Sequence, residues 1–234
     1  MKAAACQIAS IMDDIARNIA EIRKNMDAAC KHSGRSHNSV ELVAVSKKQP
    51  ADRLVAALTA GQCVFGENRV QEAQAHWKDL RKLYPHLKLH LIGPLQTNKA
   101  ADAVKLFDVI ETVDREKLVD ALGDEMKRQK RQLPCFIQVN TGAEDQKSGV
   151  RIEGLEALYA YATKTGLNIT GLMCIPPVDQ NPAFHFGLLN SWARRLGLPH
   201  LSMGMSADYE TAIRMGATHV RIGSALFGVR VEAK

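Results

Sequence analysis

The run Leu42-Val43-Ala44-Val45-Ser46-Lys47 reads as a short buried strand that breaks off at polar residues. Its apolar residues are consecutive, which fits a strand covered on both faces; a strand with one wet face would alternate. The lysine two residues beyond it stands at its C-terminal end. The same unit recurs on the far side of each following helical stretch. The candidate strands are Val40–Val45, Cys63–Phe65, Lys88–Ile92, Val109–Val113, Phe136–Asn140, Ile169–Ile175, His200–Met203 and His219–Ile222. Helical patterns separate them, as over Ala51–Ala60, Arg115–Gln132, Ile152–Thr165 and Ser206–Met215.

Parallel strands need long crossovers, so this alternation predicts a parallel α/β sheet. An open doubly wound sheet competes with a closed barrel. Eight strands within 234 residues favour a single (β/α)8 TIM barrel. No Pro/Gly/Ser linker divides the chain, so residues 1–234 are expected to form one domain, with the barrel over 40–230. Ahead of it, Ile8, Ile11, Ile15, Ile19, Ile22 and Met26 make one apolar stripe, predicting an extra N-terminal helix over 1–32 that packs on the barrel. Ser33-Gly34-Arg35-Ser36 supplies the turn that ends it.

Composition narrows the function classes. The formal charge is +6, from 31 basic and 25 acidic residues. The basic residues are interleaved with acids, as in Asp124-Glu125-Met126-Lys127-Arg128, which reads as a solvated face and not a nucleic-acid stripe. The densest run, Lys127 to Arg131, has no aromatics for base stacking. Five scattered cysteines without a C-x-x-C point to reduced thiols and a cytoplasmic protein. No stretch has the length or apolarity of a membrane span. The eight histidines show no metal-ligand spacing, and no metal is expected.

Barrel enzymes build their sites at the C-terminal ends of the strands. Those ends carry Lys47, Asn68, Gly204-Met205-Ser206 and Arg221-Ile222-Gly223-Ser224. Ser206 reads as the N-cap of a helix after the seventh strand, and Gly223-Ser224 opens a turn after the eighth. Such loops hold phosphates in barrels, because glycine admits an anion to backbone N–H groups. Closure places the first strand beside the eighth, so Lys47 is expected near this cradle. Burial and a nearby Arg221 would both favour its neutral, nucleophilic amine. Ordinary helix capping and a strand-end lysine are the plainer readings of each residue alone. Arg221 is expected to point into the barrel, towards an aromatic nitrogen acceptor or towards Glu67 or Glu111.

With Phe65-Gly66-Glu67-Asn68, His90-Leu91-Ile92-Gly93-Pro94-Leu95-Gln96-Thr97-Asn98-Lys99 and Ser202-Met203-Gly204-Met205-Ser206-Ala207-Asp208 added, the chain resembles the pyridoxal phosphate homeostasis protein family. The resemblance runs from Ile15 to Arg230. That family is similar to the barrel domain of bacterial alanine racemases. The resemblance implies pyridoxal 5′-phosphate held as a Schiff base on Lys47. It further implies phosphate contacts at Ser206, Gly223 and Ser224, Arg221 facing the pyridine nitrogen, and Asn68 lining the pocket. One departure is Lys48, where the family more usually has Thr; strand alternation is expected to turn it away from the site.

The implied role is a non-catalytic one in vitamin B6 and amino-acid homeostasis. Apo forms of pyridoxal-phosphate enzymes would be recipients, and the protein is expected as a monomer or weak dimer. A small racemase or lyase is the alternative, and a Schiff-base aldolase without cofactor a third reading.

Overall fold

The computed structural model describes residues 2–228, so positions 229 and 230 of the expected barrel lie outside the described residues, as does the Ile8 side chain. The chain opens with α1 (Lys2–His32), followed by β1 (Glu41–Val45), α2 (Ala51–Thr59), β2 (Val64–Glu67), α3 (Val70–Trp77), α4 (Leu80–Leu83) and β3 (Lys88–Leu91). It continues with α5 (Ala100–Leu106), β4 (Val109–Val113), α6 (Glu116–Gln129), β5 (Cys135–Asn140), β6 (Val150–Arg151) and α7 (Ile152–Lys164). The last elements are β7 (Ile169–Cys174), α8 (Pro182–Leu196), β8 (His200–Ser202), α9 (Tyr209–Arg214), β9 (His219–Ile222) and α10 (Ser224–Phe227).

Every strand pairing is parallel. The order β4-β3-β2-β1-β9-β8-β7-β5 is closed by pairing of β4 with β5, giving the eight-stranded barrel expected from the sequence. The first and last barrel strands meet in register, Val43 opposite Arg221 and Ala44 opposite Ile222. The extra strand β6 pairs with Val139 and Asn140 of β5, beyond the point where Val113 of β4 faces Ile137.

Alternation along the strands builds two layers. Leu42, Ala44, Phe65, Leu89, Leu91, Ile137, Leu172, Val220 and Ile222 face outward and join the helices in one continuous apolar core. The inward layer is unusual for a barrel of this kind, where branched aliphatics normally fill the lumen. The rings of Phe136 and His219 lie 5.3 Å apart, those of His200 and His219 5.5 Å, and those of His90 and His219 5.8 Å. Four strands thus fill the lower barrel with aromatic and imidazole rings.

The N-terminal stripe behaves as its spacing requires. Ile15, Ile19, Ile22 and Met26 are buried, and α1 packs across α2, α9 and α10. Asn18 Nδ2 donates to the carbonyl of Leu226 at 3.0 Å, tying this helix to α10. The end of α8 also follows from local sequence, with Arg194 and Arg195 in its last turn and Gly197 at φ 68° as its left-handed stop. Among the described residues, no helix is long and apolar enough to cross a membrane.

Candidate functional site

Lys47 is half-buried at the head of β1. The chain has already left the strand there. Gln49 N donates to Ser46 O at 3.1 Å, closing a turn with Lys47 and Lys48 at its centre. Lys48 is exposed and sits at φ 57°, the left-handed region. Strand alternation therefore does not distinguish the two lysines, contrary to expectation; the turn does.

Gly223 follows β9 and stands beside β1: a Cβ placed on it would lie 3.4 Å from Val45 Cβ. Ser224 is exposed and begins α10. Ser206 is not the N-cap of the helix after β8, as the sequence suggested. Asp208 occupies that position without a side-chain capping bond; its carboxylate instead accepts from Met205 N at 2.6 Å, so residues 205–208 form a turn first. That turn frees Ser206 to reach the neighbouring loop, where its Oγ accepts the N–H of Ala225 at 3.3 Å. The loops after β8 and β9 therefore converge on the first turn of α10. Gly204 makes the approach possible: it sits at φ 93°, and a Cβ there would lie 2.5 Å from Ala212 Cβ.

Asn68 is half-buried just past β2. Its backbone is fixed by close approach of Gly93, where a Cβ would come within 2.3 Å of Asn68 O. Asn68 also borders a groove of about 510 Å³ shared with Arg69, Gln71, Pro94, Gln96 and Lys99. The six expected site residues thus occupy four consecutive strands of the rim, β8-β9-β1-β2. A second depression, of about 370 Å³, lies at the opposite end of the barrel beside Val40, Glu41 and Val64.

Arg221 is buried and points inward, since Val220 and Ile222 belong to the outer core. Its Nη1 donates to Ser202 Oγ at 2.7 Å and its Nη2 to Cys174 O at 2.8 Å. Ser202 Oγ donates to Glu111 Oε2 at 2.5 Å, and Glu111 Oε1 pairs with His90 Nδ1 at 2.6 Å. Burial pushes the Glu111 carboxyl up, but the hydrogen bond and charge of His90, with Arg221 and His219, outweigh it and hold the group at about 2. Burial likewise depresses His219, to about 4.

Of the two expected carboxylate partners, Glu111 is in the lumen and Glu67 is not. Glu67 faces the helical layer, where its Oε1 accepts from Ser46 Oγ (2.7 Å), His76 Nδ1 (2.7 Å) and Trp77 Nε1 (2.9 Å). Ligand-capable atoms of Glu67, Glu72 and His76 all lie within 4.8 Å of one another. The sequence reading missed this cluster, although Glu72 and His76 have the four-residue spacing of one helix face. It also missed Ser202 and His90, which join Arg221 to the expected Glu111; inward parity with Arg221 was the available signal.

The donor set fits a phosphorylated aromatic aldehyde. A hydroxyl beside a helix-opening backbone suits a phosphate, a buried guanidinium suits a ring nitrogen, and a primary amine suits an aldehyde carbon.

Comparison with known proteins covers nearly the whole chain. Residues 17–231 match the alanine racemase N-terminal domain. The pyridoxal phosphate homeostasis protein of Escherichia coli K12 is 38% identical over 233 residues, covering 95% of this chain and 100% of the relative. PipY of Synechococcus elongatus, solved without pyridoxal phosphate, superposes with TM-score 0.82 at 36% identity, covering 92% of this chain and 100% of that one. The PipY structure with pyridoxal phosphate bound gives TM-score 0.80 at 35% identity, with the same coverage. D-threonine aldolase from Filomicrobium marinum shares only the fold, with TM-score 0.68 at 14% identity over 92% of this chain and 60% of its own.

Proposed function

The chain belongs to the pyridoxal phosphate homeostasis protein family, and we propose that it binds pyridoxal 5′-phosphate at the β8-β9-β1-β2 rim, covalently through Lys47. The observation that carries the reading is Gly223 packed beside Val45, two residues before that lysine. It brings the loop suited to an anion next to the strand that bears the amine. Ser206, Gly223 and Ser224 would hold the phosphate, Asn68 would line the pocket, and Arg221 would face the ring nitrogen. Bound there, the cofactor supplies an aldehyde carbon for amines and a ring that can delocalise electrons.

The residues of this chain favour holding over catalysis. Arg221 presents N–H donors to the ring nitrogen and so opposes its protonation, which leaves the ring a weak electron sink. Arg221 also cannot swing away, because Ser202 and Cys174 O both accept from it. The protein then acts as a buffer of the cofactor in the cytoplasm, serving vitamin B6 and amino-acid homeostasis, with apo pyridoxal-phosphate enzymes as recipients. It does so as one domain and as a monomer or weak dimer. The second reading, a small racemase or lyase, draws support from the alanine racemase domain match and from fold relatives such as D-threonine aldolase.

Borohydride reduction followed by peptide mass mapping tests the attachment. The adduct is expected on Lys47 and lost in Lys47→Ala, with the fold retained. An adduct on Lys48 or Lys147 overturns the assignment.

A further inference from the structure

The turn that carries Lys47 is fastened on both flanks by carboxylates, and we infer that Glu67 and Glu72 are positioning residues for the Lys47 amine. The inference rests on Lys47 being the attachment point. On the strand side, Ser46 N donates to Gly66 O at 3.0 Å and Ser46 Oγ to Glu67 Oε1 at 2.7 Å. Glu67 is fully buried and is itself held by Trp77 and His76, so it gives Ser46 a fixed anchor. On the far side, the backbone N–H of Lys48 donates to Glu72 Oε1. Lys47 is the residue between these two fastenings.

The second fastening has a conformational task. Lys48 sits at φ 57°, a region disfavoured for any residue with a Cβ. Left alone, the turn would relax to negative φ, and the peptide linking Lys47 to Lys48 would rotate with it. A hydrogen bond to a charged acceptor is roughly twice as strong as a neutral one, enough to hold the turn in place. Glu72 lies in the first turn of α3, at the end of the helix whose N–H groups face an acceptor. His76 lies within 4.8 Å of both carboxylates, and its hydrogen bond to Glu67 pushes the imidazole towards its protonated form.

Titration of pyridoxal 5′-phosphate into the apo protein, followed by visible absorbance, tests this, with Tm recorded in parallel. Glu72→Gln keeps an oxygen acceptor for the Lys48 N–H but not its charge, and is expected to bind roughly threefold more weakly than the parent. Glu72→Ala is expected to bind roughly tenfold more weakly, as for loss of a charge-assisted hydrogen bond. Adding Lys48→Gly to Glu72→Ala is expected to recover most of that loss, since glycine adopts positive φ without penalty. A merely structural role for Glu72 would not be rescued at Lys48. Ser46→Ala probes the other flank, with a loss of roughly threefold expected. Parent-like affinity in Glu72→Ala, or no recovery with Lys48→Gly, overturns the role of Glu72; parent-like affinity in Ser46→Ala overturns that of Glu67. A reduced adduct on another lysine overturns the Lys47 reading instead, whatever the Glu72 variants do.

Discussion

Arg221 and Glu111 do not touch; the hydroxyl of Ser202 joins them, accepting from the guanidinium at 2.7 Å and donating to the carboxylate at 2.5 Å. All three side chains are buried, so neither charge has water to fall back on. Ser202→Ala removes the bridge and leaves both ions short of a partner. It is expected to cost about 2 kcal/mol in urea unfolding, within the range for unsatisfied buried groups. Parent-like stability would show that the lumen tolerates the gap.

Acid should unfold the protein in two stages. His219 is held at about 4 against an ordinary 6.5, so the unfolded chain binds the proton first and stability falls as pH drops from 6.5 towards 4. Glu111 is held at about 2 against 4.5, so its contribution is intact above 4.5 and lost as pH falls towards 2. Each shift corresponds to about 3 kcal/mol at 1.36 kcal/mol per unit. His219→Phe should flatten the first stage and Glu111→Gln the second, as measured by Tm against pH. An unaltered upper stage in His219→Phe would assign that loss to other groups.

Removal of hydroxyls should weaken, and not abolish, cofactor binding. Ser206→Ala and Ser224→Ala are each expected to lose roughly 1–3 kcal/mol of affinity, because on the proposed site each would delete a hydrogen bond to a charged phosphate. Backbone donors around Gly223 remain in both variants. Unchanged affinity in the double variant would move the phosphate elsewhere on the rim.

Carrier and enzyme are separated by proton exchange at the amino-acid α-carbon. With Arg221 fixed by Ser202 and Cys174 O, alanine and serine in heavy water are expected to exchange their α-protons no faster than with free pyridoxal phosphate. Exchange many orders faster, lost in Lys47→Ala, would make the protein an enzyme.

Much of the barrel was legible because short β-branched or apolar segments alternate with longer helical patterns along the chain. Val109–Val113 and His219–Ile222 fall where the residues place them. β6 was not, since Val150 and Arg151 are too few to show a period and pair only where β4 has ended. Ser206 was misread as a cap because serine before a helix usually is one; the turn over 205–208, closed by Asp208 on Met205 N, delays the helix start by two residues, which no spacing reveals. Glu67 was offered, as an alternative to Glu111, as a partner of Arg221 in the lumen, but β2 runs on to Glu67, and strand parity turns its side chain outward. The fastening of Lys48 by Glu72 joins residues 24 positions apart, beyond any local pattern.

The bond from Asn18 to Leu226 spans 208 positions, and β1 pairs with β9 across a similar separation. Contacts this distant in sequence form late and slowly. On the ribosome, the amine-bearing strand emerges early and waits for the loop that completes its pocket. A nascent chain therefore passes through most of its synthesis with Lys47 present but no corner to hold an anion beside it. If Lys47 is the attachment point, tight capture is a property of the finished molecule, and truncated or misassembled chains would hold an aldehyde no better than any exposed lysine does.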